Sequence, residues 1–441
     1  MEKKAKLSKK VFWAWPTRGM GLTILTVLAG YTTFFATDYL GIMPATAGII
    51  FMISKIFDGF TDIIAGAIID KVNLKAGKGR PFDLALIGMA VCNALLFSAP
   101  EMNYMASCAY LFIMYTMINS IFLTLLNCSE PVYMANVVVD SNDSVSLSSI
   151  NGVASLIIGV VAGVVLPQMI KTMGTTRAGW RKVGWIIALV SIVIGSIRFF
   201  AVKETKKSAT HTEKVTITDM LKSITGNKYI LLLAIIIFCG NIGNSLATNT
   251  GTYYAQYILG DIGAQSILSL GALGVVFGMI LIPVFSKKFG LIKVIKVTTV
   301  VGLVGYALRM LNPTSIGITF LSTLLGAFGF TIMFSFTTAI VVDCIDYGEW
   351  KTGVRREGIL ACAQSVTAKI GTAIGAGLVG ILMSIAGYQG ALSVQPDSAN
   401  GMIIALSAVV PAAFCLIQLI LLHFYDLDQK MDGIREELAK K

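Results

Sequence analysis

The sequence predicts an all-α membrane protein with twelve transmembrane helices in two six-helix bundles. Of its 441 residues, 55% are hydrophobic and only 13% are charged, against about 25% charged residues in soluble domains. Apolar windows recur along the whole chain, and most approach the roughly 20 residues that a helix needs to cross a bilayer. Basic residues are dense in some connecting segments and sparse in others. A soluble core cannot bury this much apolar surface, whereas a bilayer can.

Twelve apolar windows are expected to span the membrane, six on each side of a long polar stretch. They cover residues 19–40, 44–70, 82–99, 104–128, 146–170, 181–201, 228–258, 263–285, 291–311, 316–341, 359–387 and 402–425. We therefore assign 1–202 to an N-terminal six-helix bundle and 203–227 to a cytoplasmic central loop. Residues 228–425 form a C-terminal six-helix bundle, and 426–441 form a cytoplasmic tail.

The distribution of basic residues predicts the orientation of these spans. Lys and Arg are dense in 3–10, 71–80, 203–228, 287–296 and 430–441. The outer loops are left with Lys171, Arg177, Arg181, Lys182 and Arg309. Because Lys and Arg concentrate in cytoplasmic loops, we expect both termini in the cytoplasm and a multi-pass protein of a plasma (inner) membrane. The net charge of +11 then reflects topology and implies no nucleic-acid partner.

The remaining composition disfavours an enzyme. The seven cysteines show no Cys-x-x-Cys spacing, and the two histidines, His211 and His423, are far apart in sequence. No structural metal, cofactor or nucleophilic constellation is therefore expected, and an integral membrane enzyme is the least favoured alternative. The absence of a Walker motif argues against ATP-driven transport.

Charged residues in the second window suggest a cation site. Lys55, Asp58 and Asp62 are three and four residues apart, so they share one helix face. A charge at mid-bilayer costs about 2.5–3.5 kcal/mol on insertion scales, which indicates a functional reason for its presence. Two adjacent carboxylates repel, and a proton or a Na⁺ ion would relieve that repulsion. The alternative is a structural salt bridge with Lys55, which needs a further cation to neutralise both carboxylates.

Lys369, in the eleventh window, is a candidate for that further cation. No acidic residue lies within one helical turn of it, so we expect it to pair with Asp58 and Asp62. Such a pair would join the two bundles, as a coupling device requires.

Neutral polar residues in two other windows are candidates for binding a solute. The seventh window carries Asn241, Asn244, Thr248 and Tyr253, and the end of the fourth carries Asn127, Ser129 and Tyr133. Amide and hydroxyl groups beside aromatic rings suit a polyhydroxylated or amphiphilic solute. Hydrogen bonding between helices is the alternative role. Pro131 is expected to break the fourth helix there and to expose backbone to a cavity.

Charges at the predicted cytoplasmic helix ends are candidates for gates. They are Asp70 and Arg80 beside the second window, and Asp346, Glu349, Arg355 and Arg356 between the tenth and eleventh. Opposite charges there can hold the two halves in one conformation. The alternative is that these loops are solvated and follow only the topology bias.

At these positions the chain resembles the glycoside–pentoside–hexuronide:cation symporter family of the major facilitator superfamily. The similar segments are Lys55 to Asp62 with Gly77 to Pro81, and Asp343 to Gly353 with Arg355 to Gly358 and Lys369 to Gly371. The resemblance covers nearly the whole chain and implies two six-helix halves. It matches Asp58 and Asp62 to the family's cation-site aspartates, Lys55 to the basic residue one turn earlier, and Lys369 to the helix 11 lysine.

The chain departs from the family where melibiose-transporting members bind sugar. Leu22 and Ser129 stand where those members have aspartates. Asn151 stands in place of a helix 5 arginine, which makes it a further candidate for binding the solute. Leu126 replaces a threonine that helps to bind Na⁺. These departures argue against a galactoside and leave Na⁺ and H⁺ both open.

Together these features predict a secondary active transporter that couples a cation, Na⁺ or H⁺, to symport of a glycoside or related sugar-like solute by alternating access. Its partners would be a small solute, the coupling cation and membrane lipid, and it would function as a monomer. The alternative is a symporter of the same fold for a non-sugar amphiphilic or organic solute, since similar lysolipid transporters share the helix 2 aspartates and the helix 11 lysine.

Overall fold

The computed structural model describes residues 8–71, 77–138, 141–204, 227–335, 337–352 and 357–439. Every regular element in these ranges is a helix, as the composition predicts. Consecutive helical segments group into twelve rods, α1 to α12, followed by a short terminal helix, α13.

The first six rods occupy the N-terminal half of the chain. They are α1 (Lys9–Ala14, Pro16–Ala29 and Thr32–Asp38), α2 (Pro44–Lys71), α3 (Arg80–Leu84 and Ala85–Leu96), α4 (Tyr104–Thr116, Met117–Leu123 and Thr124–Val137), α5 (Ser141–Met173) and α6 (Arg177–Ala201).

The other rods follow in the C-terminal half. They are α7 (Lys228–Tyr253 and Tyr254–Ile258), α8 (Ile262–Ala264, Gln265–Leu270 and Leu273–Phe289), α9 (Leu291–Leu311), α10 (Ile316–Ser335 and Thr337–Thr352), α11 (Glu357–Ile385), α12 (Asp397–Ile404, Ala405–Val409 and Val410–His423) and α13 (Met431–Ala439).

Length and composition suit most of the rods for crossing a membrane. In the part of the chain that the structure describes, nine helical spans are long and apolar enough to do so. Two shorter apolar helices, Pro44–Lys55 and Ile316–Phe330, lie within α2 and α10. The third predicted window forms the shortest rod, with its last helical segment ending at Leu96. The twelve rods agree with the twelve predicted windows.

Local sequence signals explain where several rods begin. Asn103, Thr176 and Asn227 precede α4, α6 and α7, and each side chain accepts a hydrogen bond from a backbone N–H in the first turn. This satisfies amide groups that have no partner inside the helix. Gly290 joins α8 directly to α9 with a φ of 86°, a conformation that favours glycine.

The described residues divide into two compact units. The first unit contains the described residues of Met1–His211 and Gln389–Ser393. The second contains the described residues of Thr212–Tyr388 and Val394–Lys441. In the first unit α1 packs against α5 and α6, α2 against α4, and α3 against α6. In the second, α7 packs against α11 and α12, and α9 packs against α10 and α12.

The predicted helix break at Pro131 is wrong. The segment Thr124–Val137 continues through this proline. The irregularity in α4 lies earlier, in the π-helical segment Met117–Leu123. Pro131 has no N–H, so it cannot donate the usual helical hydrogen bond to the carbonyl of Asn127.

Candidate functional site

The helix 2 carboxylate Asp58 is buried against α4. Its side chain receives the Lys55 ammonium, whose Nζ lies 3.1 Å from Oδ2, and the hydroxyl of Ser120 hydrogen-bonds to Oδ1. The Ser120 Oγ also lies 3.1 Å from the backbone carbonyl of Ser54. Ser120 belongs to the π-helical segment of α4, and such segments often occur at functional sites. An anion, a cation and a shared hydroxyl therefore meet inside the first unit.

The other members of the predicted cation site are less fully described. Asp62 lies on α2 one turn after Asp58, but its side chain lies outside the described residues. Lys369 lies on α11 of the second unit, where it is partly buried. The pairing of Lys369 with the helix 2 carboxylates stays a prediction.

A cavity in the first unit brings together two of the predicted solute-binding residues. Its volume is about 330 Å³. It is lined by Arg18, Gly19, Leu22, Thr23, Asn127, Glu130, Pro131, Asn151 and Ser155. Asn127 from α4 and Asn151 from α5 therefore lie at one cavity. Arg18 and Glu130 lie beside them, although neither is among the predicted solute-binding residues.

Four charged side chains cluster beside this cavity. The fully buried Arg198 donates to Asp83 with Nε–Oδ2 and Nη2–Oδ1 distances of 2.8 and 2.5 Å. Its Nη1 lies 2.9 Å from Oε1 of Glu130. Arg18 donates to Glu130 at 2.6 Å and to the carbonyl of Leu126 at 2.8 Å. Two cations and two anions therefore balance, and Arg18 and Glu130 also reach the cavity.

Tyr133 and Ser129, two further predicted residues, are both buried. The Arg198 guanidinium stacks 4.6 Å from the ring centroid of Trp15 and 4.8 Å from that of Tyr133. Tyr133 donates its hydroxyl to the carbonyl of Val202. Ser129 is buried and donates to the carbonyl of Leu126 on its own helix. The structure thus places Asn127 and Asn151 at the cavity, whereas Ser129 and Tyr133 are buried and are not among its lining residues.

Arg18, Asp83 and Arg198 were missed from the sequence because each stands at the edge of an apolar window. A charge at such an edge looks like a membrane-surface residue. The available signal was that Asp83 and Arg198 each fall just inside their windows, where a lone charge needs a partner.

A second cavity lies within the C-terminal unit. Its volume is about 310 Å³. Its polar and aromatic lining includes Asn244, Thr248, Tyr254, Gln265, Tyr306 and Arg309. The predicted residues Asn244 and Thr248 lie there, whereas Asn241 donates to the carbonyl of Ile237 and Tyr253 is buried against the ring of Tyr388. Arg309, assigned to an outer loop from the sequence, lies inside α9 and is buried; that assignment is wrong.

The predicted gate residues are only partly described. The side chain of Asp70 and the whole of Arg355 and Arg356 lie outside the described residues. Arg80 donates from Nε to the carbonyl of Phe199 at 2.8 Å and lies over that ring. Asp346 and Glu349 are partly buried on α10. Their role as gates stays a prediction.

Glu204, just after the end of α6, contacts the start of α3 and the end of α4 near Arg80. Its carboxylate accepts hydrogen bonds from the backbone N–H groups of Lys78, Gly79 and Arg80 at 2.5–2.8 Å. It also accepts from Nδ2 of Asn136 at 2.8 Å. Because these amides lie at the first residue of α3 and just before it, the carboxylate stabilises the helix N-terminus by both hydrogen bonding and charge. The ends of α4 and α6 are thereby joined to the start of α3.

The described part of the chain forms twelve helical rods with charged side chains buried inside each unit, an arrangement that suits a membrane transporter of the major facilitator class. The chain belongs to the family described as "MFS/sugar transport protein", which matches residues 18–429.

Individual relatives agree with this assignment. The chain is 25% identical to the isoprimeverose transporter of Lactiplantibacillus pentosus, over 94% of this chain and 88% of that one. It is 27% identical to the putative sulfoquinovose importer of Escherichia coli (strain K12), over 97% and 92% of the two chains. The crystal structure of the nucleoside transporter NupG has the same fold, with a TM-score of 0.67 and 13% identity over 94% and 98% of the two chains.

Family and relatives confirm the resemblance to glycoside–pentoside–hexuronide:cation symporters. They place the chain among secondary active transporters of sugar-like solutes rather than among membrane enzymes. The chain is a multi-pass membrane protein with a small-molecule solute and a coupling cation as its partners.

Proposed function

We propose that this chain carries a glycoside-like solute into the cell together with Na⁺ or H⁺, by alternating access. The observation that supports this most directly is the buried Asp58 carboxylate, held between the Lys55 ammonium and the Ser120 hydroxyl. Ion coupling needs a buried carboxylate at which Na⁺ or H⁺ can compete with the ammonium of a lysine. Relatives named as transporters or importers of sugars and as glycoside/cation symporters support the same function.

The coupling mechanism that we propose uses competition for this carboxylate. Na⁺ or H⁺ binds at Asp58 and Asp62, and Lys369 takes the place of the ion when the site is empty. The arriving ion must weaken the hold of an ammonium on Asp58, which changes the charge balance of α2. Transport then requires that the ion prefers the conformation that binds solute, because a ligand with equal affinity for all states shifts none of them.

The solute site that we propose in the first unit is the cavity of about 330 Å³, within the usual range of small-ligand pockets, about 300–1,000 Å³. Arg18, Asn127, Glu130 and Asn151 supply donors and acceptors for the hydroxyl groups of a sugar. Glu130 follows Ser129, the position where melibiose-transporting members have an aspartate, and it can supply a carboxylate to this part of the site.

We further propose that the protein lies in the plasma (inner) membrane. Both termini and the 203–227 loop then face the cytoplasm. The excess of Lys and Arg in these segments supports this orientation. In intact cells, a cysteine introduced at Ser208 should resist a membrane-impermeant thiol reagent, whereas one at Thr175 should react. Ready labelling of the position 208 cysteine from outside would show that the proposed orientation is wrong.

Uptake by right-side-out membrane vesicles tests the function. With the potential clamped, an inward Na⁺ gradient is first imposed at fixed pH, and an inward proton gradient is then imposed without Na⁺. Isoprimeverose and other pentosides, hexosides and hexuronides serve as labelled solutes, with vesicles lacking the protein as the control. One of the two gradients should drive accumulation above equilibrium. If neither gradient stimulates uptake of any solute, the proposed function is wrong.

A further inference from the structure

Arg309 is a cation buried inside the second unit, near the end of α9. Only 6% of its surface is exposed. Its Nη1 donates to the carbonyl of Ser407 on α12 at 3.2 Å, and its Nη2 donates to the hydroxyl of Thr323 on α10 at 2.7 Å. The guanidinium also lies 5.1 Å from the ring centroid of Tyr254 on α7. Four helices of the unit therefore converge on one positive charge.

The charge of Arg309 is not balanced by a carboxylate in the part of the chain that the structure describes. All the groups that hold it are neutral, and its Nε, also buried, has no acceptor among the described residues. Arg198 in the first unit is different, because two carboxylates neutralise it. Burying an unpaired charge is costly, and an anion bound beside Arg309 would offset that cost.

The cavity beside Arg309 has room and partners for more than a simple ion. It measures about 310 Å³. Gln265 lines it, and the buried Oε1 of this residue has no hydrogen-bond donor among the described residues. Asn244 and Thr248 add further polar groups, and the rings of Tyr254 and Tyr306 form part of the wall. The lining thus offers one cation, several neutral polar groups and aromatic surface.

Two irregular helical segments shape this part of the unit. Tyr254 begins the π-helical segment Tyr254–Ile258 of α7, and Ser407 lies in the π-helical segment Ala405–Val409 of α12. A π segment interrupts the regular i to i−4 ladder. The carbonyl of Ser407 reaches Arg309 from one of these interruptions.

We propose that Arg309 binds the acidic group, a carboxylate or a sulfonate, of an anionic sugar-like solute in this cavity. The guanidinium pairs with the two oxygens of the acid through Nε and a neighbouring N–H, in the forked geometry that suits planar oxyanions. Gln265 and Asn244 bind hydroxyl groups of the same molecule. This inference rests on the proposed function, and it assigns the acidic solutes to a cavity separate from that of Arg18 and Glu130.

Ligand-induced thermal stabilisation of the purified, full-length protein tests this assignment. The probes are sodium glucuronate, sodium galacturonate and a hexose sulfonate, compared with glucose, galactose and sodium chloride at the same concentrations. At least one acidic sugar should raise the melting temperature in a saturable way, whereas the matching neutral sugar and chloride should not. Equal stabilisation by the neutral sugar, or by chloride alone, would overturn the assignment.

Variants locate the effect at this cavity. Arg309→Gln should weaken the apparent affinity for the acidic sugar about tenfold or more, because it removes charge-assisted hydrogen bonds. Arg309→Lys should retain part of the affinity, since it keeps the charge and loses the fork. Arg177→Gln is the matched control, because Arg177 belongs to the first unit, where it donates to the carbonyl of Tyr39. This variant should bind the acidic sugar with the affinity of the wild-type protein.

Two further comparisons keep the test decisive. If Arg309→Gln does not fold, Gln265→Leu should still weaken binding of the acidic sugar several-fold while leaving the charge in place. If folded Arg309→Gln or Arg309→Lys binds the acidic sugar as the wild-type protein does, the inference is wrong. In that case the wild-type protein would still take up neutral glycosides under an ion gradient. If the proposed function itself is wrong, the wild-type protein would show no gradient-driven uptake of any solute.

Discussion

At the scale of single residues, burial decides what each charged pair contributes. Asp83 and Arg198 meet with side chains 1% and 0% exposed. Asp426 and Lys430 also meet at 2.5 Å, through a single contact, but their side chains are 44% and 48% exposed. Removing one partner of a buried pair leaves an uncompensated charge inside the protein. An exposed pair exchanges its partner for water at little cost.

Asp83→Asn should therefore destabilise the protein far more than Asp426→Asn. We expect a loss on the order of 3–5 kcal/mol for Asp83→Asn, because Arg198 loses half of its neutralising charge. We expect about 0–1 kcal/mol for Asp426→Asn. Thermal unfolding of both variants in the same detergent measures the difference. Equal melting temperatures would show that the buried cluster does not hold the first unit together.

The sequence allowed prediction of local charge patterns but not of long-range ones. Lys55 and Asp58 are three residues apart, so helical periodicity was sufficient to pair them, and the structure has that pair. The partners of Arg198 lie 68 and 115 residues away on two other helices. Their meeting depends on helix packing that no local pattern encodes. Arg309 was counted with the outer loops because it stands at the edge of the 291–311 window, where a charge looks like a membrane-surface residue; it lies in the last turn of α9.

At the scale of helices, apolar windows predicted the rods well, and their irregularities were not predictable. The windows at 181–201 and 291–311 correspond to Arg177–Ala201 and Leu291–Leu311. The described residues contain three π-helical segments, each of which supplies a contact to a buried charge: Ser120 to Asp58, and Tyr254 and Ser407 to Arg309. Such segments depend on tertiary contacts, so sequence periodicity does not reveal them.

Glycine contacts between α9 and α10 provide a prediction about helix packing. A Cβ atom added at Gly329 would lie 2.7 Å from Cα of Gly302 and 2.9 Å from the carbonyl oxygen of Thr298. Gly329→Ala should force the two helices apart and destabilise the protein by about 1–3 kcal/mol. Gly317→Ala is the control on the same helix, because nothing lies within 4 Å of a Cβ atom there.

The measurement is thermal unfolding, supported by the elution profile of each variant in size-exclusion chromatography. Gly317→Ala should be neutral or slightly stabilising, since alanine is the better helix former. A Gly329→Ala variant as stable as the wild-type protein would mean that α9 and α10 can move apart at little cost in stability.

At the scale of the whole molecule, the proposed transport depends on coupling between ion and solute. The resemblance, the family match and the all-helical fold agree on a secondary transporter. Composition and window count were sufficient to predict this architecture, because a bilayer strongly restricts the structures that can span it. Coupling itself requires two conformations and an ion that distinguishes them, and a sequence pattern indicates only which carboxylates could serve.

Solute accumulation by vesicles carrying Asp58→Asn tests this central claim most directly. Asn keeps the size of the side chain but removes the charge that binds the ion. Accumulation against a concentration gradient should fall to the level of vesicles without the protein, while exchange of labelled for unlabelled solute at equal concentrations persists. Asp397→Asn, at an exposed acid in the first turn of α12, should accumulate solute normally. If Asp58→Asn accumulates solute to the wild-type level under the same ion gradient, Asp58 is structural and the proposed coupling mechanism is wrong.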